Sequence, residues 1–511
     1  MKTKSFKDPT YGYIEIPADL VEDVIDTEAF QRLRRIVQTS YEPLYPSATH
    51  NRFVHSLGVY HLGAIVANVV RNHSFEGLKK VMGRSKNNYD RYLEVFRIAC
   101  LLHDIGHAPF SHTGEKFFVT SAENGYSARL HRRVARLIHD ETFLTGGDKS
   151  RDLAAEHELM SIVVALKTFG RRFNSYAEKN FFARAIAGYV YPEKGKNADN
   201  ICHSFLNCMI RLLHSPTIDV DRLDYLIRDA FASGFKTINI DYQRLLGGVR
   251  VRVVDGICRL VFTKRAVSVL ENVVYAHDAE KKWIQKHPAI NYEMELLKRA
   301  FIAVDEKFAA DLRDKTLFCE TALCGSGVKL GKCALHVKYL CDDDLVFLMK
   351  NVEDVSAHRF LCRNARYRPL WKSEAEFCAL FNKQDWTDAN GNNLERLRYV
   401  FSGLLRHLSM LGIQEVDENI LMRLKKEAEK ARRNIGKANG YAKDYIDQAV
   451  WFQQKELFYK LVDLLRIFAQ KHKIPFRFQI VDVKTFSSGF ASDALPRIPI
   501  EIGPPGHTVE F

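Results

Sequence analysis

An unbroken apolar run, Ile98-Ala99-Cys100-Leu101-Leu102, leads directly into His103-Asp104. A segment apolar on every side reads as a buried helix, so the fold has to carry an imidazole and a carboxylate at the inner end of that helix. Side by side they offer a nitrogen and an oxygen donor, a mixture suited to divalent ions such as Mn, Fe, Co, Ni or Zn. Gly106 and Pro109 then stop the helix, which lets His107 and His112 turn back toward the same place. Two other His-Asp pairs, His139-Asp140 and His277-Asp278, serve as controls. His139 stands in a charged stretch, whereas His103 ends an apolar one with two more histidines within nine residues. Only His103-Asp104 reads as a site.

Most of the remaining sequence is helical in pattern, as in Arg91–Leu102 and Leu421–Lys430, and the expected fold is mainly α. Around Asp255-Gly256, the Val, Ile and Leu residues of Val249–Phe262 predict a β-hairpin. The composition changes over 311–345, which places a division between a core of 1–310 and a mostly helical region of 311–511. That region ends in short strands and loops from Ile474 onward, giving it a mixed α/β character.

Lys plus Arg exceed Asp plus Glu by 75 − 62 = 13, a field that attracts anions such as nucleotides, nucleic acid or acidic head groups. The start of the chain is polar and no run reads as a bilayer span, so the expectation is a cytoplasmic protein with no membrane partner. Its ten cysteines read as reduced thiols. Cys319, Cys324, Cys333, His336 and Cys341 lack a Cys-x-x-Cys spacing, so buried thiols are favoured over zinc. The basic stretch Arg423–Lys437 reads first as a solvated helix face and second as a nucleic-acid contact.

Two outlying segments complete the site. His55 opens an apolar helix beside the basic Arg52, and helical spacing sets Asp221, Tyr225, Arg228 and Asp229 on one face of a later helix. Such a face suits metal, sugar and phosphate together; its bland alternative is a charged surface stripe.

In order and spacing, His55, His103-Asp104 and Asp221 match the H…HD…D pattern of the HD superfamily. Asp8-Pro9, Phe30-Gln31-Arg32-Leu33-Arg34, His50-Asn51-Arg52-Phe53, His55-Ser56-Leu57-Gly58 and Ile218-Asp219-Val220-Asp221 further resemble the deoxynucleoside triphosphate triphosphohydrolases of that superfamily. The likeness is strong over 4–230, fainter to about 302, and absent beyond.

What the resemblance implies is an HD-domain helical core that binds one divalent metal ion (Mn, Mg, Fe, Co, Ni or Zn) through His55, His103, Asp104 and Asp221. The reaction it implies is release of inorganic triphosphate from a dNTP. His107, His112, Glu115 and His157 are the implied catalytic group, with His112 and Glu115 as proton donor and partner. Arg52 and Arg222 would meet phosphate, with Lys281, Lys282 and Lys286 as further candidates; Gln38, Tyr225 and Asp229 would hold the sugar. Lys4, Asp26, Gln31 and Arg34 match positions that bind an activating nucleotide in a homo-oligomer, a tetramer in the family's vertebrate members.

Thr39-Ser40-Tyr41-Glu42 replace the family's Leu and triple Gly, and Pro288 stands where a second nucleotide site has Lys, so sugar, base and activator stay open. Two alternatives also stay open: an HD nucleotide phosphodiesterase or phosphomonoesterase, and a nucleotide-sensing or nucleic-acid-binding module. The biological setting, nucleotide-pool control or antiviral defence against phage, is equally open.

Overall fold

The computed structural model describes residues 2–82, 86–120, 126–145, 154–193, 198–215, 218–236, 238–330 and 335–369, together with 372, 376, 416–423, 426, 466–467, 469–470, 473, 475–477, 499–501 and 508–510. As expected, the described chain is mainly helical with small sheets. It opens with an antiparallel pair, β1 (Thr3–Asp8) and β2 (Gly12–Pro17). The helical core follows as α1 (Arg52–Met82), α2 (Lys86–Leu102), α3 (His112–Thr120), α4 (Tyr126–Ile138) and α5 (Glu156–Phe169). It continues through α6 (Tyr176–Ala187), α7 (Ala198–Leu213) and α8 (Val220–Ser233).

The central element is α1, which packs against α2, α7 and α8. Its portion Arg52–His73 is long and apolar enough to cross a bilayer, which corrects the expectation that no run reaches that length. Within this fold 67% of its most apolar stretch is buried, with Val59, Leu62, Val66 and Val70 fully enclosed. A helix surrounded by other helices has to be apolar nearly all round. By contrast α8 is polar on one side; it is capped by Asp219, whose carboxylate accepts from the Arg222 amide at 2.7 Å.

The expected hairpin is present as β3 (Val249–Val254) and β4 (Ile257–Thr263). Asp255 (φ 53°) and Gly256 (φ 79°) occupy its two turn positions, both in the left-handed region that a tight hairpin turn demands. Two short strands, β5 (Val328–Leu330) and β6 (Leu335–Val337), form a separate pair. At the chain's end β7 (Pro499–Glu501) runs parallel to β4, and β8 (Thr508–Glu510) runs antiparallel to β7, giving the order β3-β4-β7-β8. Arg252 ties this sheet together by gripping Glu501 at 2.7 and 3.1 Å.

The chain divides into two compact units, Met1–Gln285 with Leu296–Leu361 and Ser488–Phe511, and Lys286–Glu295 with Cys362–Ser487. The first unit thus runs past the expected division at 310, because Leu317, Phe318, Leu340 and Leu345 join its apolar core. In the second, Arg366 pairs with Glu293 at 2.5 Å and the Tyr367 amide donates to the Tyr292 hydroxyl at 3.2 Å. Most of Leu421–Lys430 and of the basic stretch Arg423–Lys437 lies outside the described residues, as does Cys333. The described cysteines are free thiols, and among the described residues none joins a metal-type grouping.

Candidate active site

His55 is fully buried in the first turn of α1. Its Nδ1 lies 2.7 Å from Asp224 Oδ2. Arg228 grips Asp224 at 2.9 and 3.1 Å and reaches on to Asp8 at 2.9 Å. Arg228, which helical spacing sets on the same face as Asp221, is buried and pairs with two carboxylates, Asp224 and Asp8, as a buried guanidinium requires. The helices come this close because residue 58 is glycine: a Cβ there would stand 1.8 Å from Asp224 Oδ1.

On the opposite edge of the His55 ring four donor atoms converge. His103 Nε2 lies 3.3 Å from His55 Nε2, and Asp221 Oδ1 lies 3.0 and 3.5 Å from those nitrogens. Asp104 Oδ2 is 3.5 and 3.6 Å from the same pair. The far nitrogen of each ring is already engaged, His55 with Asp224 and His103 with the Cys100 carbonyl at 2.9 Å. Histidines that bind metal are held this way, each with its second nitrogen on a carboxylate or carbonyl. His55, His103 and Asp221 lie close enough together to hold one ion, with Asp104 beside both rings, a set that fits a divalent cation with mixed N/O preference.

The electrostatics agree. Burial opposes a charged His55, yet its bonds to Asp221 and Asp224 outweigh burial and lift it to about 10. His103 is raised in the same manner, against burial, by Asp104 and Asp221. Against burial, Arg52 and His103 hold Asp104 well below the usual carboxylate range, and His103 and His55 do the same for Asp221. Protons on the two rings stand here against the two carboxylates, and a divalent ion bound at the same place would displace them.

Beside this centre, the loop after α2 brings His107 back with its Nε2 3.2 Å from Asp104 Oδ1. Burial, with Arg52 nearby, holds His107 well below its ordinary value, so it is neutral. It stacks on His157, the rings 4.1 Å apart. Glu115 joins two histidines: its Oε2 lies 2.9 Å from His112 Nδ1 and its Oε1 2.8 Å from His157 Nδ1. Burial opposes the charge on both partners, but their mutual attraction wins. Glu115 falls far below the usual carboxylate range, and His157 rises to about 9. His107, His112 and His157 are also close enough together to hold an ion.

The three Arg52 nitrogens are engaged within the protein, by Asp104 at 2.6 Å, Ser111 Oγ at 2.8 Å and the Gln38 carbonyl at 3.3 Å. The buried Gln38 side chain leaves Oε1 without a partner. Tyr225 and Asp229 follow Asp221 by one and two turns of α8. Arg222 lies against Asp219 and Tyr225; burial opposes its charge, but Asp219 outweighs burial and raises its pKa. The chain's other charged candidates lie at the surface or beside it. Lys4 meets Asp26 at 3.4 Å, both half exposed, and Arg34 bonds Gln31 at 2.8 Å while covering the Phe53 ring at 3.6 Å. Lys282 lies 5.2 Å from the ring of the half-exposed Trp283.

Several site neighbours escape the sequence reading. Asp229 takes a 2.7 Å bond from His50 and stands near Glu280, the last residue of the helix Val267–Glu280. Burial, and Asp229 next, push Glu280 well above the carboxylate range, so it is a neutral acid that also accepts from Tyr41 at 3.3 Å and Gln285 at 2.9 Å. Only the i,i+4 spacing of Asp224 and Arg228 left a local signal. Of the two control pairs, His139-Asp140 is engaged away from the centre, with Asp140 tied to Arg184 and Thr142 and His139 packed on Tyr176.

Residues 52–169 match the family described as the HD domain. Over 275 residues the chain is 28% identical to an uncharacterised protein of Mycoplasma genitalium, covering 53% of each chain. It is also 28% identical over 303 residues to the deoxynucleoside triphosphate triphosphohydrolase of Danio rerio, covering 59% of this chain and 45% of that one. An uncharacterised protein of Bacillus subtilis is 32% identical over 251 residues, covering 49% and 45%. The chain spans about half the length of the curated relatives it matches.

Proposed function

We propose, from the match of residues 52–169 to the HD domain family, that the chain hydrolyses deoxynucleoside triphosphates to deoxynucleoside and inorganic triphosphate at a divalent-metal centre held by His55, His103, Asp104 and Asp221. The observation that carries this reading is the grouping of two imidazole Nε2 atoms with an Asp221 oxygen, Asp104 beside both rings and each ring fixed from behind. A divalent ion bound there polarises a phosphoryl oxygen and lowers the pKa of water.

The chain's own residues supply the rest. Arg52 keeps Asp104 ionised and aimed. Arg222 offsets phosphate charge from the first turn of α8. Glu115 accepts from Nδ1 of His112 and of His157, which leaves each Nε2 free to carry a proton. Of the two, His112 is the more exposed and donates to the leaving 5′-oxygen. Tyr225 packs on the sugar, while Asp229 and the unpartnered Gln38 Oε1 accept from its 3′-hydroxyl. The surface pairs Lys4–Asp26 and Gln31–Arg34 take an activating nucleotide in a homo-oligomer. Relatives named as deoxynucleoside triphosphate triphosphohydrolases support the substrate class.

Chromatographic product analysis tests the reading, with Mn or Mg and the four dNTPs singly and mixed. Deoxynucleoside plus inorganic triphosphate is the expected result. Monophosphate or diphosphate products instead would assign the centre to another HD phosphohydrolase reaction. Turnover only in the mixture would mark nucleotide activation.

A further inference from the structure

A short segment far along the chain, Leu340 to Asp342, is tied to the loop that carries the catalytic histidines. The buried Arg32 donates to three carbonyls at once, those of Leu340 at 2.8 Å, Ile105 at 2.9 Å and His107 at 2.8 Å. Asp342 accepts from the Phe110 amide at 2.7 Å through one oxygen and from the Val37 amide at 2.8 Å through the other. Ser111 closes the arrangement, donating to the Val37 carbonyl at 2.5 Å while accepting from Arg52. One end of this network abuts Gln38; the other includes His107 and stops one residue short of His112.

The loop needs such a hold. Phe110 (φ 55°) and Ser111 (φ 51°) are consecutive non-glycine residues in the left-handed region. Each is a strained conformation that persists only where its surroundings enforce it. Asp342 bonds the amide of the first, and Arg52 and the Val37 carbonyl engage the side chain of the second.

We propose that Arg32 and Asp342 are positioning residues that lock the His107–His112 loop and the segment bearing Gln38 into register with the metal centre, which makes Leu340–Asp342 part of the active site. Arg32 is buried and Asp342 partly so: burial lifts the Asp342 carboxyl to about 7 although two amides donate to it, and burial lowers Arg32 to about 10. The kinetic half of the proposal rests on the phosphohydrolase reading; the structural half does not.

Two near-isosteric variants test it, Asp342→Asn, whose amide group faces one of the two donors, and Arg32→Lys, which cannot span three carbonyls. Hydrogen exchange is measured on peptides covering 105–112 and 37–38, with the β3–β4 hairpin as internal reference. The expected result in both variants is exchange faster by about tenfold in those peptides, the effect of losing one buried hydrogen bond, and no change in the hairpin. Steady-state kinetics are expected to show kcat reduced by about tenfold or more, with KM within about twofold and metal content unchanged. Unaltered exchange in the loop, or acceleration spread evenly over loop and hairpin, would overturn the proposal, as would wild-type kcat in both variants. If the wild-type protein turns over no nucleotide, that failure belongs to the proposed reaction, and the exchange result decides the clamp alone.

Discussion

Asp224 stands behind His55: its Oδ2 lies 2.7 Å from the ring's Nδ1, on the edge away from His103, Asp104 and Asp221. The carboxylate fixes the tautomer and makes the far nitrogen a better ligand. Asp224→Asn is therefore expected to weaken divalent-metal binding by roughly 10–100-fold, the usual effect of losing such a partner. Metal titration of the chelator-stripped variant checks this, and wild-type affinity would remove Asp224 from the role.

Gly58 is the position where α1 lets that network approach. Because a Cβ would fall 1.8 Å from Asp224 Oδ1 and 2.4 Å from the Arg228 guanidinium, Gly58→Ala must displace one of them. Denaturant unfolding is expected to show a loss of about 1–3 kcal/mol, with metal affinity falling alongside. An unperturbed variant would mean that the helices separate at no cost.

Arg52 and Asp104 form a buried pair at 2.6 Å. Removing one partner of such a pair costs about 3–5 kcal/mol because the other charge is left uncompensated. Arg52→Ala should show that loss most fully when stripped of metal, and saturating divalent ion should restore part of it. Equal losses with and without metal would argue against Asp104 as a ligand.

The Glu115–His157 pair sets a pH window. The folded pKa of His157 is raised from 6.5 to about 9, so its pairing contributes stability in full below 6.5 and loses it as pH rises through about 9. Glu115 is shifted the other way, below its usual 4.5, so its contribution is present above that value and lost as pH falls through the depressed one. In Glu115→Gln, burial opposes the His157 charge with only the weaker pull of Glu158 and Asp104 left to favour it. Its titration, followed by ring-proton NMR, should move down by more than one unit, and the loss of stability between pH 6.5 and 9 should flatten. A His157 titration that stays near 9 would place its cause elsewhere.

How much of this was legible in sequence depends on how local each contact is. His103-Asp104 stood out from the two control pairs through its apolar approach, and Asp255-Gly256 marked its hairpin because turn chemistry is written in adjacent residues. Asp221, Tyr225 and Asp229 followed from helical spacing. Arg228 shares that spacing, but its partners Asp8 and Asp224 are brought to it by the fold and leave no sign beyond the i,i+4 step. Arg32 and Asp342 bond to main-chain atoms far away in the sequence, and such contacts impose no period on the residues that make them. The helix Arg52–His73 shows the converse: an apolar run that satisfies the criteria for a membrane span serves here as the central strut of a helical core. The division near 310 was set by composition, whereas packing extends the first unit to Leu361.

The central claim is that hydrolysis depends on a divalent ion held by His55, His103, Asp104 and Asp221. The direct measurement strips the protein with chelator, restores Mn, and follows inorganic triphosphate released from mixed dNTPs by the wild type and by Asp221→Ala. The expected result is turnover that vanishes on stripping and returns with metal in the wild type alone. Triphosphate release without metal, or full activity in Asp221→Ala, would contradict it.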